Sequence, residues 1–491
     1  MGLPGFRLVK SVKISITFAL RKPYFQFSTK ATTVDEHDQT PATKRRRRSQ
    51  KNHLWSDNLS WEERLADAVT PLWRLSYDEQ LELKQKHQET TLSQLVGHLS
   101  GDPKSSSPVK NKLTFPLLPI LPSPVRDGYR NKSTFSVNRG EDGNTKTVGF
   151  YLGTGKQGNI VCVSGDHLLN MPEKHKLVAR CYQDFIRQSP LDPCLLFHSG
   201  GHWREVTVRT NATGHTMAIV YFHPQTLTPE EVAVHKTDLV DYFVRGPGSV
   251  CQLDSLVFQE SSMTRCTHEK SPYQLLYGQP HIYETVLGFK FRISPDAFFQ
   301  VNQGAAEVLY GTLRDLISAN TEKGEKRGKP TVTLLDVCCG TGAIGITTSP
   351  RVEKVIGIEL IEQAVEDAVH NAALNNVPNC KFISGKAEAV LPGLMVDLSC
   401  TAGGLTAVVN PARAGLHYRV VRALRNQPNI RRLVYVSCKP DGEAMRNFRE
   451  LCCPPDPQKK ITGEAFSPTL AIPVDMFPHT PHCELVLLFE R

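Results

Sequence analysis

The stretch that decides the fold is residues 334–346, LLDVCCGTGAIGI. An apolar run ends at Val337, a glycine-rich turn follows, and apolar residues at helical spacing come after it. The order is strand, tight turn, helix. Gly340 and Gly342 let the backbone turn sharply and come close to a ligand, with a helix N-terminus behind it. The next apolar run, VIGIEL, ends in Glu359, about 20 residues on, where an acid can accept both hydroxyls of a ribose. That spacing fits any ribose-bearing cofactor. A tight strand–helix turn beside a surface glutamate is the plainer reading of the same residues.

Working outward, residues 332–338, 355–359, 381–384, 407–410 and 433–437 read as buried strands. Between them, Ile361, Val365, Ala368 and Ala372 fall on one helix face, and Leu416, Val420 and Leu424 on another. Strands alternating with helices predict an α/β fold, a doubly wound Rossmann-like sheet over residues 291–491. Residues 469–474 and 484–489 add a closing hairpin at its edge. Upstream, residues 125–290 carry short β-rich runs (147–152, 160–164, 203–210, 216–222) and predict an α+β domain with mostly antiparallel strands. Residues 35–124 read as a basic, polar segment, then a helical region and a linker. Trp61, Leu65, Val69 and Leu72 set the helical pattern, which breaks at Pro71. Residues 100–124 are the linker.

Composition narrows the function classes. No apolar run approaches the ~18–20 residues of a membrane span. The 13 cysteines are scattered without CxxC pairs, which argues for a reducing compartment, buried thiols and no zinc site. The net charge of +9 is not spread evenly: residues 1–48 hold eleven Lys and Arg against three acids, a surplus of 8. A nucleic-acid surface on the folded part must therefore come from local patches. Residues 1–34 contain no Asp or Glu, six basic residues and many hydroxyls, the composition of a mitochondrial transit peptide. That composition predicts a mitochondrial matrix address, the plainer reading being a tail without one. The run Lys44–Arg48 offers a nuclear signal or an RNA-contacting arm as the alternative.

Three segments border the sheet. RISPDAFFQVN puts Phe298, Phe299, Gln300 and Asn302 just before its first strand, offering aromatic faces for a base and a side-chain amide. VVNPARAGL follows the fourth strand and LVYVSCKP ends the fifth, with Asn410 and Cys438 where strand ends line a ligand crevice. Singly, each has a bland account: core plus cap, a turn, a buried thiol. Together, FFQVN, DVCCGTG, NPARAGL, YVSCKP and DMFPHTPHCELVLLF stand in the order that resembles the RNA 5-methyluridine methyltransferases. YRNKSTFSV at 129–137 is similar to the motif of that family's preceding domain. The resemblance covers roughly residues 125–491. It implies an S-adenosylmethionine-dependent enzyme acting on tRNA, and for the mitochondrial members also small-subunit rRNA. It further implies Cys438 as nucleophile, Glu484 as base, and Gln300, Glu359, Asn410 and the Gly340 turn on the cofactor side.

The chemistry has need of such groups. Uracil C5 is a poor nucleophile until a thiolate adds at C6, and a base must later remove the C5 proton. The target base must also leave its stack, with Phe298 or Phe299 available to receive it. Asn410 stands where the family usually carries Asp, which removes a charge and keeps the size. Two rivals remain at this stage. An RNA cytosine-C5 methyltransferase would carry a second Cys beside the Pro of the fourth-strand motif, where this chain has Asn410-Pro411-Ala412-Arg413. A non-catalytic RNA-binding protein that keeps a methyltransferase shell is the other.

Overall fold

The computed structural model describes residues 59–100, 112–153, 160–195, 200–261, 271–318, 332–398 and 404–491. The transit-like start and the Lys44–Arg48 run lie outside the described residues.

Two helices open this part of the chain, α1 (Trp61–Val69) and α2 (Tyr77–Leu99), each started by a Ser–Glu capping box. The first sheet follows: β1 (Lys132–Asn138), β2 (Thr147–Leu152), β3 (Val161–Val163), β4 (Trp203–Thr210), β5 (Thr216–Phe222), β6 (Ser255–Glu260) and β7 (Tyr273–Gly278). Its order is β3-β2-β1-β4-β5-β6-β7, antiparallel except for the β5–β6 pair. Helices α3 (Glu173–Gln188) and α4 (Pro229–Val240) pack on it around buried Tyr182, Trp203 and Phe222. A short hairpin, β8 (Ile282–Val286) and β9 (Phe289–Ile293), then leads through α5 (Gln303–Ser318) to the second sheet.

That sheet contains β10 (Thr333–Val337), β11 (Lys354–Glu359), β12 (Cys380–Ser384), β13 (Leu405–Val409), β14 (Ile430–Ser437), β15 (Ser467–Val474) and β16 (Glu484–Glu490). The helices between its parallel strands are α6 (Ala343–Thr348), α7 (Glu362–Leu374), α8 (Ala387–Leu398) and α9 (Tyr418–Asn426), and α10 (Glu443–Cys452) follows β14. The strand order β12-β11-β10-β13-β14-β16-β15 is the doubly wound Rossmann-like arrangement, with β16 and β15 antiparallel at one edge. Strands β10 and β13 are buried at every position because helices cover both faces, so they read as unbroken apolar runs. Strands β10 and β13 run parallel, but the order of strand addition reverses between them, and the crevice beyond their carboxyl ends is where such sheets take ligands.

Residues 112–124, expected as linker, instead run beside β15. Leu117 bridges Ala471 and Leu121 bridges Val474 in parallel register. Backbone groups of an edge strand are thereby paired, which removes a template for unwanted strand addition.

Candidate active site

The antiparallel register of β14 and β16 fixes the central pair of side chains. Ser437 pairs with Leu485, so the next positions outward, Cys438 and Glu484, face each other at the strand mouths. Opposed residues on such a ladder bring their Cβ atoms to about 5 Å. Cys438 is half-buried, whereas Glu484 is only 5% exposed and its Oε2 has no hydrogen-bond partner among the described residues. Burial pushes the Glu484 carboxyl up to about 7, against the pull of the Arg413 guanidinium. Burial and the facing Glu484 push the Cys438 thiol up, and Arg413, which hydrogen-bonds it, draws it down. A buried acid with an unsatisfied oxygen, a reachable thiol and one cation over both make a strongly perturbed cluster in a crevice.

Arg413 received no role from sequence, although it lies inside the quoted NPARAGL stretch. Its signal was its place one turn after β13, on the same rim as Cys438. The loop holding it is pinned by Asn447, whose Oδ1 accepts from Leu416 N at 2.7 Å and from the Tyr435 hydroxyl at 2.9 Å.

On the other side of the crevice, the turn after β10 is built as expected. Gly340 adopts φ +54° and a Cβ there would meet nothing within 4 Å, so its backbone faces open space. Gly342 at φ +81° caps α6, where a Cβ would lie 2.9 Å from the Phe382 ring. Glu359 stands at the end of β11, but it also ties the loops together. Its oxygens accept from Gly340 N at 3.0 Å, Leu360 N at 2.8 Å and Ile361 N at 3.1 Å. Oε1 accepts the Leu360 and Ile361 bonds, whereas Oε2 accepts only that of Gly340 and retains a second lone pair for a ribose hydroxyl. Asp336 beneath the turn is fully buried; its Oδ2 accepts from Gly345 N at 3.1 Å while Oδ1 has no partner. Asn410 follows β13 and is tied to the neighbouring β10, its N–H donating to Val337 O at 3.2 Å.

The segment before the sheet divides its roles. Phe298 is 69% exposed, whereas Phe299 is buried against Phe291 and belongs to the core. Gln300 is buried with its backbone carbonyl held by Asn131 Nδ2 at 2.9 Å. Asn302 is structural: its amide donates to Ser123 Oγ at 3.0 Å and Met476 O at 3.2 Å, and its Oδ1 accepts from Ala305 N at the start of α5.

The donor set fits S-adenosylmethionine: an open glycine backbone at a strand–helix turn and an acid at the end of the next strand. A groove of about 560 Å³ between α8 and α9 holds none of these residues, so the site is recognised by its chemistry and not by concavity.

Fold and crevice define a class, a Rossmann-like methyltransferase joined to an α+β domain. The sequence profile described as tRNA (Uracil-5-)-methyltransferase matches residues 288–491. The chain is 68% identical over 445 residues to tRNA (uracil-5-)-methyltransferase homolog B of Danio rerio, covering 90% of each. It is 56% identical to homolog B of Homo sapiens, covering 90% of this chain and 87% of the relative, and 42% identical to human homolog A, covering 87% and 68%. Among solved structures, the Pyrococcus abyssi tRNA (uracil-54, C5)-methyltransferase in complex with S-adenosyl-L-homocysteine shares the fold, at TM-score 0.59 and 24% identity over 85% of this chain and 84% of that one. The chain belongs to the tRNA (uracil-5-)-methyltransferase family.

Proposed function

We propose that this protein methylates C5 of a uridine in tRNA, with Cys438 as nucleophile and Glu484 as base. The observation that carries the reading is the register that sets these two side chains opposite each other under Arg413. Cys438 Sγ adds to C6 of an extruded uracil, forming a C–S bond and leaving C5 enolate-like. S-Adenosylmethionine, when bound at the Gly340 turn, supplies the methyl group for C5. Glu484 then accepts the C5 proton, the electron pair restores the C5–C6 double bond, and the Cys438 C–S bond breaks. Arg413 supports both halves: its charge favours the thiolate first and the carboxylate later. Gln300, Glu359 and Asn410 orient the cofactor.

The test uses the purified chain, a tRNA transcript and cofactor, with mass spectrometry of the RNA. Cys438→Ala should make no 5-methyluridine yet still bind tRNA. Glu484→Gln should accumulate a protein–RNA adduct that migrates slowly on denaturing gels. Normal methylation by Cys438→Ala would end the reading, and 5-methylcytidine in its place would favour the cytosine enzyme.

We extend the proposal to place. The acid-free, hydroxyl-rich residues 1–34 support a mitochondrial matrix address, and mitochondrial tRNA as substrate. Residues 1–34 fused to a fluorescent protein should carry it into mitochondria; nuclear accumulation would favour the Lys44–Arg48 run. Mapping 5-methyluridine in organellar RNA with and without the protein separates tRNA from small-subunit rRNA.

A further inference from the structure

In the first sheet, Lys132 of β1 pairs directly with Arg209 of β4. Like charges opposed on an antiparallel ladder are destabilising. Arg130, two residues before Lys132, adds a third cation, close enough to act on Lys132. Compensation is thin. Arg209 is 3% exposed, donates to the Ala297 carbonyl, and leaves its Nε buried without a partner. Among the described residues, the half-buried side chains of Arg130 and Lys132 make no hydrogen bond or ion pair. The acid that faces Lys132 and Arg209 is exposed Asp296. His175 beneath them is buried between Ser133 Oγ and Thr210 Oγ1, and burial, then Arg130, hold its pKa down at about 3, so it is neutral. Two arginines and a lysine crowded together with one exposed acid between them favour the arrival of an anion.

The cluster also has an address. Asn131 N donates to Val301 O at 2.8 Å, Asn131 Nδ2 to Gln300 O at 2.9 Å, and Arg209 reaches Ala297 O. It therefore borders the 296–302 loop that presents exposed Phe298 and buried Gln300. We propose that Arg130, Lys132 and Arg209 form a binding site for an RNA phosphodiester, gripping the backbone beside the nucleotide that enters the Cys438 crevice. This rests on the RNA substrate proposed above and names how that substrate is held.

Binding of a labelled tRNA transcript to the full chain, measured across salt and pH, tests the site without turnover. Lys132→Met should weaken binding roughly tenfold and lower the salt slope by about one, because one phosphate contact is lost. Lys132→Arg should restore both. Burial, then Arg209 and Arg130 against Asp296, holds Lys132 down at about 7. Phosphate would draw a proton onto it, so parent affinity should fall as pH rises past 7, and in Lys132→Arg it should not. Should Lys132→Met fail to fold by circular dichroism, Arg130→Gln gives the same salt readout. A folded variant with parent affinity and slope overturns the site, as does weaker binding at an unchanged slope. Lost affinity for S-adenosylhomocysteine with intact tRNA binding would assign the cations to the cofactor carboxylate and also overturn it. A parent chain that makes no 5-methyluridine would instead defeat the functional reading while leaving the salt slope intact.

Discussion

A carboxylic acid cut off from water keeps its proton until something in the protein favours the anion. For Glu484, among the described residues, that something is Arg413, which only partly offsets burial. The arrangement suits a group that must be uncharged or charged at different steps of one reaction near neutral pH. It also has a stability signature whose sign can be worked out. The folded pKa is raised from 4.5 to about 7. The folded state therefore holds this proton more tightly than the unfolded chain, and the stabilisation is fully present below 4.5 and lost as pH rises through 7. Glu484→Gln, always neutral, escapes that loss. Urea unfolding should find the variant more stable than the parent by on the order of 3 kcal/mol at pH 8, and equal to it at about pH 4. Equal stability at both values would mean that Glu484 is hydrated in the folded chain and free of strain. Sequence made this residue legible by its place in the DMFPHTPHCELVLLF stretch. It could not show Arg413 as its partner, because the two meet only when β13 and β16 flank β14.

At the scale of elements, legibility followed the kind of burial. Strands β10, β13 and β14 show as apolar runs because nearly all their side chains are covered. The first part of helix α2 shows no such signal, since its inward face reads Gln80, Lys84, Gln88 and Thr91 before the apolar Leu92, Leu95 and Val96. The partners of Gln80, Lys84 and Gln88 stand between 391 and 399 residues away in sequence. Lys84 Nζ meets Asp475 Oδ1 at 2.6 Å, both side chains fully buried, and Tyr77 donates to Asp475 Oδ2 at 2.9 Å. Gln80 accepts from His479 N at 2.7 Å, and Gln88 Nε2 reaches Cys483 Sγ at 3.2 Å. The helix thus holds the 475–483 loop along its length, up to the residue before Glu484. Removing one member of a buried ion pair strands the other, at a cost of about 3–5 kcal/mol. Lys84→Met should lose about that much unfolding free energy, and the double variant Lys84→Met with Asp475→Leu should recover most of it. A single variant within about 1 kcal/mol of the parent would show that α2 is no strut for the loop.

For the molecule as a whole, the question is where its positive charge works. The chain carries +9, and residues 1–48 account for a surplus of 8, so the remainder is close to neutral. A near-neutral body can still bind tRNA if a few cations are fixed where phosphates pass, since binding strength at a contact follows local potential and not net charge. The Lys132–Arg209 pair and its neighbour Arg130 are such a feature, invisible in sequence because β1 and β4 are joined only by long-range register. The two sources of charge make opposite forecasts for a chain lacking residues 1–48. If the first residues serve as an address, the shortened protein should bind a tRNA transcript with a salt slope within about one of the full chain, despite losing almost all its net charge. If Lys44–Arg48 is an RNA-contacting arm, deletion should flatten that slope by several. The local cluster on β1 and β4 predicts the first outcome, because its cations outnumber the single exposed acid that faces them and already stand beside the 296–302 loop, so the phosphate contacts that release counterions from the RNA persist without residues 1–48.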